Sequence, residues 1–232
     1  MTFSRTSPDH AHLAATRAPD RSARPAAVCL VVHGGRSVSQ ADVTAWQFAV
    51  LRMRPLARVL ARELPTVAVY RLRMAVRGWN GTGATATRDA RWAVARLRQL
   101  HPGVPIVLVG HSMGARTCLL IADEPAVVGV VGLASWLPLD EPVQQLLDVQ
   151  VRLVHGDRDR IVSEPSTRAF VARLSAAGVE FRRTVLTGTG HGMIRRWRRW
   201  NAETVAGVQA LLQAARSAQP APADPVDRFP DR

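Results

Sequence analysis

Residues 104–114 read Val104-Pro105-Ile106-Val107-Leu108-Val109-Gly110-His111-Ser112-Met113-Gly114, and the helix-forming stretch Ala115 to Asp123 follows. Val104 to Val109 is short, apolar and rich in β-branched residues, the pattern of a buried strand. G-x-S-x-G between a strand and a helix is the layout of a nucleophile elbow, which holds one serine in a strained, exposed backbone position. Glycine is needed on both sides of Ser112 because a Cβ at either place would clash in so tight a turn. Ser112 Oγ then stands at the sheet edge, at the N-terminus of the next helix. The dipole of that helix favours the negative charge that develops in acyl transfer.

Working outward, the strand-like run Ala26 to Val32 ends in His33-Gly34-Gly35. Farther on stand His155-Gly156-Asp157-Arg158-Asp159-Arg160-Ile161-Val162 and then Gly188-Thr189-Gly190-His191-Gly192. With the elbow, these segments give the chain a resemblance to the α/β-hydrolase family, running from about Ala26 to about Arg216. The resemblance implies an α/β-hydrolase fold, a mainly parallel sheet of about six strands with helices on both faces; the short gap from Ser135 to Val149 leaves no room for the cap domain that many relatives carry. It makes Ser112 the nucleophile, His191 the base and Asp159, from an H-G-x-x-D-x-x-V pattern, the acid that orients the imidazole. Asp157 is the alternative acid, since spacing alone does not separate the two. Acyl transfer also needs two backbone N–H groups aimed at the oxyanion. Met113 supplies one and Gly35 the other, with Arg36 the alternative if the loop register shifts by one. His33, His111 and His155 read as scaffold positions beside their motifs.

The remaining segments fill in the layers. Asp42 to Glu63 has apolar residues at helical spacing interrupted by Pro55, hence one kinked helix or two short ones. Thr66 to Leu72 reads as a strand, and the Arg77-Gly78-Trp79-Asn80-Gly81 loop after it partly matches a family loop beside the active site. Thr85 to Leu100 is an amphipathic helix with Ala90, Ala93, Val94 and Leu97 facing inward. Strands follow at Ala126 to Ala134, Gln150 to Val154 and Val179 to Leu186, with a helix from Glu164 to Ala177. Ser135 to Val149, where many relatives insert a cap, has room for a loop and one short helix only, so the pocket should be shallow. Arg36, Trp79, Trp136 and Leu137 are the candidate substrate contacts, with Trp46 and Arg77 nearby. The last helix opens at Met193, with Ile194, Trp197, Trp200 and Val208 near one stripe that anchors it to the sheet. Residues 1–25 and 217–232 lack apolar periodicity and read as disordered tails around a domain spanning 26–216.

At 232 residues with 47% hydrophobic content the chain can bury one substantial core. A net charge of +13 would ordinarily suggest nucleic acid or an anionic membrane, but every cation is an arginine and they are scattered through all segments. Only Cys29 and Cys118 occur, which implies no disulfide framework and fits a reducing, cytoplasmic setting. No secretory apolar region or membrane-length run is present. The expectation is a serine hydrolase acting on an ester or thioester of a small apolar acyl group. It needs no metal or cofactor, binds no nucleic acid and does not insert in a membrane; its oligomeric state is unspecified. Two alternatives stay open: a catalytically silent binding protein of the same fold, and an arginine-rich protein binding an anionic membrane or nucleic acid through Arg195, Arg196, Arg198 and Arg199.

Overall fold

The computed structural model describes residues 4–7, 10–16, 24–162 and 164–218. One mixed sheet of eight strands organises the chain, in the order β1-β2-β4-β3-β5-β6-β7-β8. β3 (Ala27–Val32), β4 (Val67–Arg73), β5 (Ile106–His111), β6 (Val127–Leu133), β7 (Gln150–Gly156) and β8 (Phe181–Leu186) run parallel. All six residues of β3 and of β5 are buried, as expected for parallel strands covered on both faces.

The remaining two strands correct the sequence reading, which expected about six strands and a disordered segment over residues 1–25. β1 (Ser4–Thr6) and β2 (His12–Ala15) join the sheet antiparallel, β2 pairing with β4 from His12↔Arg73 to Ala15↔Tyr70. β1 is three exposed polar residues, and β2 buries only Leu13 and Ala15. So short an alternation carries almost no local signal; its order comes from hydrogen bonds to a strand more than fifty residues away. At the other end, Ser217 and Ala218, which the sequence reading assigns to a disordered segment, close the last helix, Ser217 as its final residue and Ala218 as its C-cap; residues 219–232 lie outside the described residues.

Alternation along the strands divides the core. Val28, Leu30, Ile106 and Leu108 face α3 (Ala84–Leu100), α4 (Met113–Leu120) and α5 (Glu164–Ala176), while Cys29, Val31, Val107 and Val109 face the opposite layer. That second layer is α2 (Met53–Glu63), preceded by α1 (Phe48–Leu51), and α6 (Trp197–Ser217). The Asp42 to Glu63 stretch therefore forms two helices, with Pro55 in the first turn of α2, where its missing N–H costs no hydrogen bond.

α6 opens later than the spacing predicts. Arg196 has φ 54°, a left-handed conformation that ends the preceding loop, and the helix begins at Trp197. Trp200 is 1% exposed and is the anchor, whereas Ile194 and Trp197, at 65% and 50%, face solvent. Two of the four residues assigned to the anchoring stripe thus lie off it.

β3 and β5 are neighbours, and the chain leaves β3 toward β4 on one side and β5 toward β6 on the other. In open α/β sheets the crevice outside the carboxyl ends of two such strands is where a ligand fits. Ser112 follows the last residue of β5 at that point.

Candidate active site

The elbow is a product of its glycines. Ser112 has φ 56° and ψ −119°, a conformation that glycine adopts readily and a side-chain-bearing residue does not, held in place by its surroundings. Its N–H donates to Leu133 O at 2.9 Å and its carbonyl accepts from Ala115 N at 3.0 Å. A Cβ on Gly110 would lie 2.4 Å from Gly114 O, and one on Gly114 would lie 2.3 Å from His33 O. Both contacts are with backbone, which cannot swing aside.

His191 reaches Ser112 from the loop after β8. Its Nε2 is 3.0 Å from Ser112 Oγ, and its Nδ1 is 2.8 Å from Asp159 Oδ2. The other carboxylate oxygen, Asp159 Oδ1, accepts from the N–H groups of Ile161 and Val162 at 2.8 and 3.0 Å. Burial pushes the Asp159 carboxyl up, but the hydrogen bonds from His191, Val162 and Ile161 together outweigh it and hold the group below the ordinary carboxylate range. Asp157 faces elsewhere. Its Oδ1 accepts from Gly188 N at 2.6 Å and Thr189 N at 3.3 Å, tying down the loop that presents His191.

Two further histidines frame these groups. His111 is buried, with Nε2 2.9 Å from His191 O and its ring 4.9 Å from the His191 ring. Burial, together with Arg52 and His191 nearby, pushes its pKa down to about 3. His33 Nε2 accepts from Met74 N at 3.1 Å, which fixes the tautomer and leaves Nδ1–H to donate to Gly34 O at 2.6 Å. Burial lowers His33 to about 4. The imidazole is thus a neutral clip between the end of β4 and the glycine loop.

That loop passes close over the elbow: a Cβ on Gly34 would come 3.1 Å from Ser112 Cβ, and one on Gly35 would come 2.5 Å from Met113 Cε. Met113 is the first residue of α4, where a backbone N–H has no intrahelical acceptor. Arg36 N donates to Arg77 O at 3.0 Å, so its N–H is already engaged. The Arg77 to Asn80 loop clamps the same segment. Trp79 N donates to Arg36 O at 2.8 Å, and the Asn80 carboxamide both accepts from Ser39 N and donates to Ser39 O at 2.9 Å.

The candidate substrate contacts divide. Arg36 is exposed and Trp136 half-buried, but Trp79 and Leu137 are 3% and 2% exposed. Trp79 packs edge-on against Trp136 at 6.0 Å and lies over the start of α3, where a Cβ on Gly83 would strike its ring. Trp79 and Leu137 therefore brace the wall and offer a ligand almost no surface, a correction to the sequence reading. Trp46 is 77% exposed.

Sequence reading missed the residue that holds this wall. Arg116, on α4, stacks 4.1 Å from the Trp79 ring and 4.8 Å from that of Trp136, and its Nε lies 2.7 Å from Glu141 Oε2. Burial raises the Glu141 carboxyl against the pull of Arg116. Nothing in a lone arginine after the elbow signals two tryptophans and a distant glutamate as its neighbours. Between β6 and β7 the chain forms only a 3-10 turn, Gln144–Leu146, and among the described residues no cap covers Ser112. Ser112 is 8% exposed and the His191 side chain 14%, so the site is shallow but reachable. Among the described residues no group of three His, Cys, Asp or Glu side chains is placed to hold a metal, and no helix is long and apolar enough to cross a membrane.

Solved structures share this architecture. An alpha-beta serine hydrolase homologue from Coxiella burnetii is 16% identical over 90% of this chain and 97% of its own, with a TM-score of 0.69. Est1E from Butyrivibrio proteoclasticus is 14% identical over 91% and 99%, with a TM-score of 0.68. An a/b serine hydrolase without lid from Xanthomonas campestris is 20% identical over 96% of each chain, with a TM-score of 0.67. Among curated proteins none matches the sequence. The model of the alpha/beta hydrolase family matches residues 29–231, and the chain belongs to that family.

Proposed function

We propose that the protein is a serine hydrolase that cleaves small esters or thioesters through an acyl-enzyme. One observation carries this reading: His191 lies 3.0 Å from Ser112 Oγ and 2.8 Å from Asp159 Oδ2, so one imidazole touches both groups. His191 Nε2 takes the Ser112 proton as Oγ attacks the carbonyl carbon. Asp159 keeps the proton on Nδ1 and stabilises the imidazolium that forms. The oxyanion is held by the N–H groups of Met113 and Gly35; the bond from Arg36 N to Arg77 O favours Gly35 over its neighbour. The leaving group departs with the proton from His191, and water activated by the same imidazole releases the acid.

The surroundings favour an apolar acyl group. Val38, Trp46, Phe48, Leu139, Ile161, Ile194 and Trp197 are all exposed, and all lie on segments that follow the carboxyl ends of β3, β6, β7 or β8. Those segments leave the sheet at the edge where Ser112 stands, and exposed apolar side chains there would give an acyl chain a surface to lie on.

Pre-steady-state hydrolysis of p-nitrophenyl acetate tests the mechanism. A burst of nitrophenolate equal to the enzyme concentration, followed by slower turnover, is expected; turnover that persists in Ser112→Ala would overturn it. A series of p-nitrophenyl esters and matching thioesters of increasing chain length then ranks the substrates by kcat/KM.

A further inference from the structure

A second pocket lies away from Ser112, in the layer that holds α1 and α2. Along β4 the residues Val67, Val69, Arg71 and Arg73 share one face, that of α2, and the antiparallel register sets Ala14 of β2 opposite Arg71 and His12 opposite Arg73. Val50, Met53 and Arg54 close over them from α1 and α2, leaving a cavity of about 200 Å³ with His33 in its wall. Neither Ser112, Asp159 nor His191 lines it.

Its charge is one-sided. Among the described residues Arg54, Arg71 and Arg73 form no salt bridge; Arg54 Nη2 donates to Ala45 O at 3.1 Å and Arg73 Nη1 to Val43 O. The Arg71 side chain has no hydrogen-bonding or ionic partner among them, and its Nε is buried. Burial, then the charges of Arg54 and Arg58, lower the Arg71 pKa, and His12 is lowered by burial with Arg73 and Arg71. Cations gathered in a partly desolvated pocket repel one another, and an anion among them adds an attraction to each that offsets this repulsion.

We infer that this cavity binds a phosphate dianion, either free or carried on a small phosphomonoester. Guanidinium forks match phosphate oxygens in pairs, and three arginines lining one cavity balance a dianion better than the single charge of a carboxylate. Val50 and Met53, with Ala14 and Ala45, give the rest of the cavity an apolar lining that would receive a carbon skeleton. The occupant sits behind the glycine loop, separated from it by His33, and does not compete for Ser112.

The test is thermal unfolding of the full chain, at constant ionic strength, titrated with inorganic phosphate and separately with phenyl phosphate. Wild type is compared with Arg71→Gln, with Arg54→Gln in case the first fails to fold, and with Arg62→Gln, whose exposed side chain pairs with Glu63. A saturable rise in Tm is expected for wild type and Arg62→Gln, with an apparent affinity weaker by about tenfold or more in Arg71→Gln and Arg54→Gln. Tighter binding of phenyl phosphate points to a phosphomonoester as the source, and equal binding to free phosphate. No saturable shift with either anion overturns the proposal. So does an equal response in all four proteins, which would show only screening of the overall charge.

Discussion

Replacing either acid of the His155 to Val162 loop by asparagine separates orientation of the base from support of its loop. In Asp159→Asn the N–H groups of Ile161 and Val162, 2.8 and 3.0 Å from Oδ1, select the amide oxygen for that position. The amide NH₂ is then turned toward His191 Nδ1, at the 2.8 Å now spanned by the carboxylate. The imidazole must accept there, which moves its proton to Nε2, and Nε2 no longer accepts from Ser112. Wrong tautomer and lost charge together should lower kcat by about 10³- to 10⁴-fold, or about 4 to 5.5 kcal/mol of transition-state stabilisation. Asp157→Asn keeps an oxygen for Gly188 N and Thr189 N, now held at 2.6 and 3.3 Å, so its kcat should stay within about threefold. The assay is kcat on p-nitrophenyl acetate, normalised to folded protein by near-ultraviolet circular dichroism. Equal losses in the two variants, or less than about a tenfold loss in Asp159→Asn, would refute the reasoning.

Three other outcomes follow from packing and titration. Gly114→Ala drives a Cβ to within 2.3 Å of His33 O and 2.6 Å of Val32 O, and urea unfolding should show a loss of about 3 kcal/mol or more; a loss under about 1 kcal/mol would mean the elbow yields. Trp200→Ala should cost about 3 to 5 kcal/mol because the indole is fully buried, while Trp197→Ala, on an exposed residue, should change stability by no more than about 0.5 kcal/mol. His33 and His111, lowered to about 4 and about 3, bind a proton more readily when unfolded, where their pKa is near 6.5. Their contribution is therefore full above pH 6.5 and lost on acidification below it, each adding a slope of at most about 1.4 kcal/mol per pH unit. Unfolding free energies at pH 7 and pH 5 should differ less in His111→Gln than in wild type, and an unchanged difference would contradict this.

What the sequence could disclose depended on how locally each feature is encoded. The elbow, the Asp159 loop and the His191 loop each bring their own glycines, so the three groups were legible before any contact was known. The choice between Asp157 and Asp159 was not, because both side chains leave one short loop and only the position of the β8 loop separates them. β2 was hidden for a different reason: four residues with two buried side chains resemble any irregular tail until β4 supplies their hydrogen bonds. Trp79 was assigned to the ligand from its place in the chain, yet the close approach of Gly83 and the stacking of Arg116 draw it inward. Likewise helical spacing grouped Trp197 with Trp200, and the left-handed turn at Arg196 shifted the start of α6 and parted them.

The central claim is that Ser112 is a nucleophile activated by His191. Labelling by a fluorophosphonate probe, with the adduct mapped by mass spectrometry, tests it most directly. One adduct per chain on Ser112, absent in both Ser112→Ala and His191→Ala, is the predicted result. A folded wild-type protein that takes up no probe, or takes it up at a residue other than Ser112, would contradict the account.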